Sequence, residues 1–237
     1  MLKFDPHVHT RFSDGSIFYN GIADLKYLAK RDKITAFAVT DHNTTRGMKY
    51  ARRACEVLGI PFIPGIEISA REGHLVAYGV TEWTKGAYQL TVDEVIDELV
   101  SLNAVIVVAH PMSKRMGIKK LLFEHHVYKR IDGFEYFNGA TPTNAVNLHK
   151  HGIAPLSGLC RYAGSDCHSH VLFARFHVLV DAPATKLDDI LEAMRDKHKV
   201  TAVGPIMDIP TWIADFPPAF TKRRVIKQLE HRGKEKE

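Results

Sequence analysis

The chain has 237 residues, 45% of them hydrophobic and 25% charged, the composition of a folded globular domain rather than of a disordered, collagenous or disulfide-scaffold chain. No apolar run approaches the roughly 18–20 residues that span a bilayer, and the N-terminal MLKFDPHVH lacks a signal-peptide core, so a cytoplasmic protein with no membrane partner is expected. The formal charge of +5 is local: residues 222–237 hold seven Lys or Arg against three Glu, and the rest of the chain is almost neutral, which does not favour a nucleic-acid partner.

In chain order, an apolar run predicts a first strand over residues 3–9. Asn20 can cap a helix carrying Ile22, Leu25, Tyr27 and Leu28. A strand over 34–40, a helix over 45–58 and strands over 61–69 and 74–80 follow. Thr91 can cap a helix with Val92, Val95, Ile96 and Leu99 on one face. Strands over 104–110 and 131–138, a helix over 144–151, strands over 162–168 and 176–181, and a helix over 186–196 complete the pattern. Residues 205–218 carry four prolines and break the rhythm before a short basic helix. Strands alternating with helices predict right-handed βαβ units, a mainly parallel sheet and a closed or nearly closed α/β barrel. One domain is expected, with residues 1–205 as the catalytic barrel and residues 206–237 as a Pro-rich segment and basic helix or tail of the same domain. Trp212, Phe216 and Phe220 would cover the barrel or a partner, the barrel being preferred. Cys55, Cys160 and Cys167 form no CxxC pair and are expected as free thiols.

The unusual number is 14 histidines. His7 and His9 end the first predicted strand, Asp41 and His42 follow the second, Glu67 ends the third and His110 the fifth. Glu135 and Asn138 close the sixth, and Asp166 and His168 the seventh. The C-terminal edge of a parallel sheet is where ligands and catalytic groups gather. In HxH the two imidazoles project from one face of a strand and can hold one ion jointly. Each feature has an ordinary account alone: Asp41 as a helix cap, Asp14 in SDG as a turn residue, His110 beside Pro111 as a core histidine. Buried together they would be costly without a compensating cation. His125, His126, His149, His151, His198 and His231 do not share the placement and are expected in solvent. His170 and His177 are weak candidates, and His74 opens a strand rather than closing one.

The segments DPHVHTRFSDG, VTDHNT, PGIEIS with GHLVAYG, VVAHP, GFEYFNG and GSDCHS, in this order between residues 5 and 169, are similar to those of the PHP superfamily, named for polymerase and histidinol phosphatase. The resemblance implies a distorted (β/α)7 barrel and a centre of two or three divalent ions, Zn, Mn or Fe. It would place one ion on His7, His9, Glu67 and Asp166, a second on Glu67, His74 and His110, and a third on Asp14, His42 and His168. Imidazole with carboxylate and no thiolate suits these metals. The implied activity is hydrolysis of a small phosphate ester, a nucleotide or other phosphomonoester, by a water that bridges the ions. Glu67, Asp166, Arg11 and Arg115 are expected to carry catalysis, with Lys114 a further phosphate contact. The alternatives are a histidinol phosphatase, a nuclease or phosphodiesterase that uses the basic tail on single-stranded nucleic acid, and a metal-dependent module without turnover.

Overall fold

The computed structural model describes residues 1–13, 22–168, 172–184 and 186–204. Among them are β1 (Leu2–Phe4), α1 (Ile22–Asp32), β2 (Phe37–Val39), α2 (Met48–Leu58), β3 (Phe62–Ser69), β4 (His74–Tyr78), α3 (Val92–Ser101) and β5 (Val105–Val108). They are followed by α4 (His125–Tyr128), β6 (Gly133–Asn138), α5 (Asn144–Lys150), β7 (Cys160–Gly164), β8 (His177–Val180), α6 (Leu187–Arg195) and β9 (Val200–Val203). Asp14, the Asn20 cap, His170, the proline-rich segment with Trp212, Phe216 and Phe220, and the basic tail lie outside the described residues. No helix among the described residues is long and apolar enough to cross a membrane.

The fold is α/β. Strands β2 to β7 form one curled sheet in chain order, and β1, β8 and β9 form a second sheet. Two sheets in place of one closed seven-stranded barrel is a departure from expectation, and its cause is local. Pro6 has no N–H to continue a ladder, and the buried Asp5 carboxylate takes the available donors, the N–H groups of His7, Ser165 and Ala174. The chain therefore leaves the β1–β8 pairing at Phe4 and makes its next β-bridge at Val8. Val8 bridges Cys167 in parallel, and its carbonyl accepts from Thr40 N–H at 2.9 Å. Residues 8 and 9 thus contact the outer strands at both edges of the six-stranded sheet, just beyond their C-terminal ends.

The sheet is also less parallel than the alternating pattern implies. Pairs β2–β3, β5–β6 and β6–β7 are parallel, while β3–β4 and β4–β5 are antiparallel. Only residues 70–73 join β3 to β4, far short of the dozen or so a parallel crossover needs. This reversal matters for the site, because the start of β4 lies at the same edge as the end of β3, with His74 opposite Ser69.

Alternation along the strands divides two apolar clusters. Ile66, Ile68, Leu75, Ala77, Ile106 and Val108 pack against Val92, Val95, Ile96 and Leu99 of α3. Residues one step away, Ile63, Val76, Tyr78, Val105 and Val107, join Phe4, Tyr162, Val178 and Met194 in the second cluster. Helix α3 begins as the sequence predicts: Glu94 N–H donates to the Thr91 hydroxyl and Thr91 N–H to the Glu94 carboxylate, a capping box. Leu25 and Leu28 of α1 are buried, whereas Tyr27 is exposed, since neighbours on a helix do not share a face. Strand β9 follows a charged stretch and has no counterpart among the expected strands. The three cysteines are buried and free, and burial raises the Cys55 and Cys160 thiols to about 12.

Candidate metal centre

Glu67 sits on the strand face opposite Ile66 and Ile68 and is fully buried. Its two carboxylate oxygens meet five imidazoles. Oε2 lies 3.2 Å from His7 Nε2, 3.2 Å from His9 Nε2 and 2.9 Å from His42 Nδ1. Oε1 lies 2.9 Å from His74 Nδ1 and 3.0 Å from His110 Nε2. Asp166 closes the other side, with Oδ1 3.2 Å from His9 Nε2 and 3.7 Å from both His7 Nε2 and His168 Nδ1. The HxH reading therefore holds geometrically: His7 and His9 project from one side of the chain toward the same two carboxylates.

This packing is unfavourable for the bare side chains. His7 Nε2, Glu67 Oε2, His74 Nε2 and His110 Nδ1 are buried and lack a well-directed hydrogen-bond partner, and such atoms cost roughly 1–3 kcal/mol each. Protonating every ring would satisfy Glu67 but would bring cations face to face, since the His9 ring centroid is 4.4 Å from that of His42 and 4.2 Å from that of His168. Leaving the rings neutral turns the Nε2 lone pair of His7, whose Nδ1–H is spent on Glu135, toward the oxygen lone pairs of Glu67 and Asp166. A cation among them resolves both problems. Three sets offer ligand atoms within 4.8 Å of one another: His7, His9 and Asp166; His42, Glu67 and His74; and His9, His42 and His168. Neutral imidazole nitrogens and carboxylate oxygens without thiolate form a donor set that fits first-row divalent ions.

The charge states point the same way. Burial alone would raise the Glu67 carboxyl, but the His42 and His7 charges outweigh it and hold the group well below the usual carboxylate range. Asp166 is likewise lowered against its burial, chiefly by His7. Burial would lower His7, yet Glu135, Glu67 and Asp166 together raise it well above the usual imidazole value. His168 is lowered to about 4, by burial and then by His9, so it is a neutral lone-pair donor near pH 7.

Further groups fix the rings. The fully buried His7 donates from Nδ1 to Glu135 Oε1 at 2.8 Å, leaving Nε2 for Glu67 and Asp166. Glu135 Oε2 accepts from His110 N–H and from Asn138 Nδ2 at 2.6 and 2.7 Å. A carboxylate behind an imidazole is the usual means of orienting a metal-binding histidine. Gly164 makes room for it, because a Cβ there would collide with Glu135 Oε1 and His7 Cβ. Asp41 accepts from Thr10 N–H and Oγ at 2.6 and 2.7 Å and so ties the His9 turn to the end of β2 rather than capping a helix. Ser13 Oγ accepts from His42 N–H and shares a hydrogen bond with His9 Nδ1. His110 and Asp166 adopt left-handed backbone, with φ of 28° and 52°, a strain of about 1–3 kcal/mol each of the kind that collects at functional sites.

His7, His9, His42, Glu67, His74, His110, Asp166 and His168 are thus brought together, while Asp14 lies outside the described residues. Strand ends do not explain His74; the antiparallel turn of β4 does. The orienting role of Glu135 has no signal in spacing, since it lies 128 residues from His7. Arg11 lies over the rings of Phe12 and Tyr50, and Lys114 and Arg115 are exposed on the loop after His110. His125, His126, His149, His151 and His198 are exposed.

The family described as PHP domain matches residues 5–201. An uncharacterized protein of Methanocaldococcus jannaschii is 28% identical over 159 residues, which cover 62% of this chain and 87% of that protein. A 3′,5′-nucleoside bisphosphate phosphatase of Chromobacterium violaceum is 34% identical over 84 residues, covering 34% of this chain and only 28% of that protein. The crystal structure of PsfC from Pseudomonas syringae superposes with a TM-score of 0.64 at 16% identity, covering 90% of this chain and 96% of that one. At that identity the likeness concerns the fold alone.

Proposed function

The chain belongs to the PHP domain family, and from that membership we propose that it is a metal-dependent hydrolase of a small phosphate ester, with a nucleotide as the favoured substrate class. The observation that carries the proposal is Glu67, buried at the centre of five imidazoles whose nitrogens converge on its two oxygens. The relative that acts on a nucleoside bisphosphate supports the substrate class.

In this reading His7, His9, Glu67 and Asp166 hold one ion, Glu67, His74 and His110 a second, and His42 and His168 with Asp14 a third. The ions, when bound, supply Lewis acidity toward phosphate oxygens and lower the pKa of a water to serve as nucleophile. Glu67 and Asp166 carry the negative charge that concentrates ions here, and Glu135 keeps the His7 lone pair on Nε2 aimed inward. His42 and His168 are the partly exposed members of the set, so substrate approaches from their side. Arg11, Lys114 and Arg115, on loops that follow His9 and His110, contact the phosphate from outside. In this reading the short bridges of Val8 to both sheet edges close the curled sheet into a distorted barrel around this centre.

The test is hydrolysis by purified protein loaded with Mn or, separately, Zn. The panel contains nucleoside mono- and bisphosphates, histidinol phosphate, aryl phosphates and single-stranded oligonucleotides. Release of phosphate from a small ester, abolished by chelation and restored by metal, is expected. Failure on every ester with metal bound would overturn the proposal, and turnover confined to oligonucleotides would replace it with the nuclease reading.

A further inference from the structure

Residues 81–90 lie between β4 and α3 and form no strand or helix, yet the end of this loop is tied to the end of β3 at three points. Tyr88 N–H donates to the Ser69 carbonyl at 2.7 Å, Arg71 N–H to the Leu90 carbonyl at 2.9 Å, and the Arg71 guanidinium to the Gln89 carbonyl at 2.8 Å. The Gln89 side chain in turn accepts from Gly86 N–H at 2.9 Å. Ser69 is itself fixed to the frame of the centre. Its N–H donates to Asn43 Oδ1 at 2.9 Å and its hydroxyl accepts from Asn43 Nδ2 at 3.0 Å, while Asn43 N–H donates to the Glu67 carbonyl at 2.8 Å. A loop anchored in this way to a rigid scaffold holds what it carries in a defined place.

What it carries is Tyr88. The backbone there is left-handed, with φ of 60°, a region that disfavours a bulky side chain and suits glycine. Burial does not offset the strain, because the residue is 57% exposed. A strained residue that buries little adds little to folding, and strain of this kind collects at sites that serve a ligand. One contact gives the ring its direction: its centroid lies 6.4 Å from that of His74, with the planes tilted by 43°. His74 is buried against Glu67 and meets the partly exposed His42 edge-on at 5.4 Å. Tyr88 therefore stands one ring outward from His74, at the rim of the centre, with much of its surface uncovered.

An ester whose phosphate reaches the ions has to carry its alcohol portion outward past the surrounding rings. An aromatic side chain fixed at the rim offers that portion a flat apolar surface with a hydroxyl at its edge. We infer that Tyr88 is a specificity-determining residue whose ring packs against the alcohol portion of the ester and favours alcohols bearing a flat ring over small aliphatic ones. The inference rests on the phosphoesterase reading. His74 is held by Glu67 at Nδ1 and by the Met116 carbonyl at its N–H, so removing the Tyr88 ring leaves the ligands of the ions in place.

The experiment measures binding first, independently of turnover. Phenylphosphonate and methylphosphonate, whose carbon–phosphorus bonds are not hydrolysed, are titrated by calorimetry into the full chain loaded with Mn. The variants are Tyr88→Gly, which suits the left-handed backbone, Tyr88→Phe, which keeps the ring, and the control Tyr27→Ala at an exposed tyrosine of α1. Tyr88→Gly is expected to weaken phenylphosphonate by about three- to tenfold, the scale of one aromatic contact, and methylphosphonate by less than about twofold. Tyr88→Phe and Tyr27→Ala are expected to bind both probes as wild type does. Mn per chain is expected to be unchanged in Tyr88→Gly, and its unfolding midpoint to equal or exceed that of wild type. Equal effects of Tyr88→Gly on the two phosphonates, or an equal loss in Tyr27→Ala, overturn the inference. Loss of Mn or a lower midpoint in Tyr88→Gly also overturns it, by showing that the ring shields His74 or supports the fold. Steady-state kinetics with phenyl phosphate and glycerol phosphate then separates the two readings. A protein that hydrolyses neither ester but shows the ring-dependent preference for phenylphosphonate keeps the role of Tyr88 and loses the phosphoesterase. Hydrolysis whose kcat/KM ratio between the two esters is the same in wild type and Tyr88→Gly keeps the phosphoesterase and loses the role of Tyr88. Failure of the Mn-loaded wild type to bind either phosphonate overturns both.

Discussion

Strands β3, β4 and β5 serve two regions built on opposite terms. Toward α3 they present Ile66, Ile68, Leu75, Ala77, Ile106 and Val108, all buried against apolar side chains of a capped helix. One residue away along the same strands are Glu67 and His74, and His110 stands just past the end of β5, buried among charges, with atoms lacking partners and strained backbone at His110. Side chains alternate with period two, so a single register fixes both faces, and a one-residue slip would exchange them. The difference shows where stability comes from. The α3 face supplies apolar burial at about 25 cal/mol per Å², and this offsets a mouth whose arrangement is unfavourable until cations enter it.

That contrast can be broken at either face. Glu67→Gln keeps the shape and removes the charge. It is expected to lower bound metal and reduce turnover by at least about 10²–10³-fold, the scale on which single electrostatic groups act in catalysis, while the chain still folds. Elemental analysis, phosphate release and circular dichroism together check this, and unfolding of the variant would show that the mouth is a source of stability. Leu99→Ala acts on the other face. A loss of about 2–5 kcal/mol in denaturant unfolding is expected, with unchanged metal per folded chain. Altered metal content there would mean that the two faces are not separable.

Glu135→Gln tests the boundary between them. The Gln side chain weakens the acceptor for His7 Nδ1, and metal affinity, read by competition with a chelator, is expected to fall about 10- to 100-fold. Thr91→Ala removes one half of the α3 capping box and is expected to cost about 1 kcal/mol in the same unfolding measurement, without effect on chelator competition.

Most of the mouth was legible because strand ends and HxH spacing are properties of local sequence. His7, His9, His42, Glu67, His110, Asp166 and His168 lie close together, which is a consequence of strand direction more than of distant contacts. His74 was ambiguous only while the sheet was taken as parallel, and the four-residue connection before it already requires a hairpin. Other features depend on contacts between residues far apart in the chain. The split into two sheets comes from Asp5 accepting N–H groups of Ser165 and Ala174, some 160 residues away. Glu135 was visible as a strand-end carboxylate, but its work on His7 Nδ1 was not. The contacts of Arg11 and Phe12 with the Tyr50 ring join segments almost 40 residues apart, and nothing in either segment alone marks them.

The smallest expected effect lies in the second sheet, at His177. His177 opens β8, and its pKa is lowered from 6.5, first by burial and then by the Lys3 charge, with the Ala174 carbonyl that accepts from Nδ1 opposing the shift. The folded state therefore prefers neutral His177. As pH falls through 6.5 the unfolded chain takes up this proton more readily than the folded one, so stability declines with falling pH and levels off once the folded ring is also protonated. His177→Asn keeps a donor at the Nδ1 position for the Ala174 carbonyl and removes the titration. In chelator-treated protein the unfolding midpoint of the variant is expected to fall less than that of the wild type between pH 7.5 and about 5, the interval around the unperturbed imidazole value. The charged mouth contributes equally to both proteins and cancels in the difference. A wild-type midpoint that falls no faster than that of the variant would mean that the β1–β8–β9 sheet does not sense this proton.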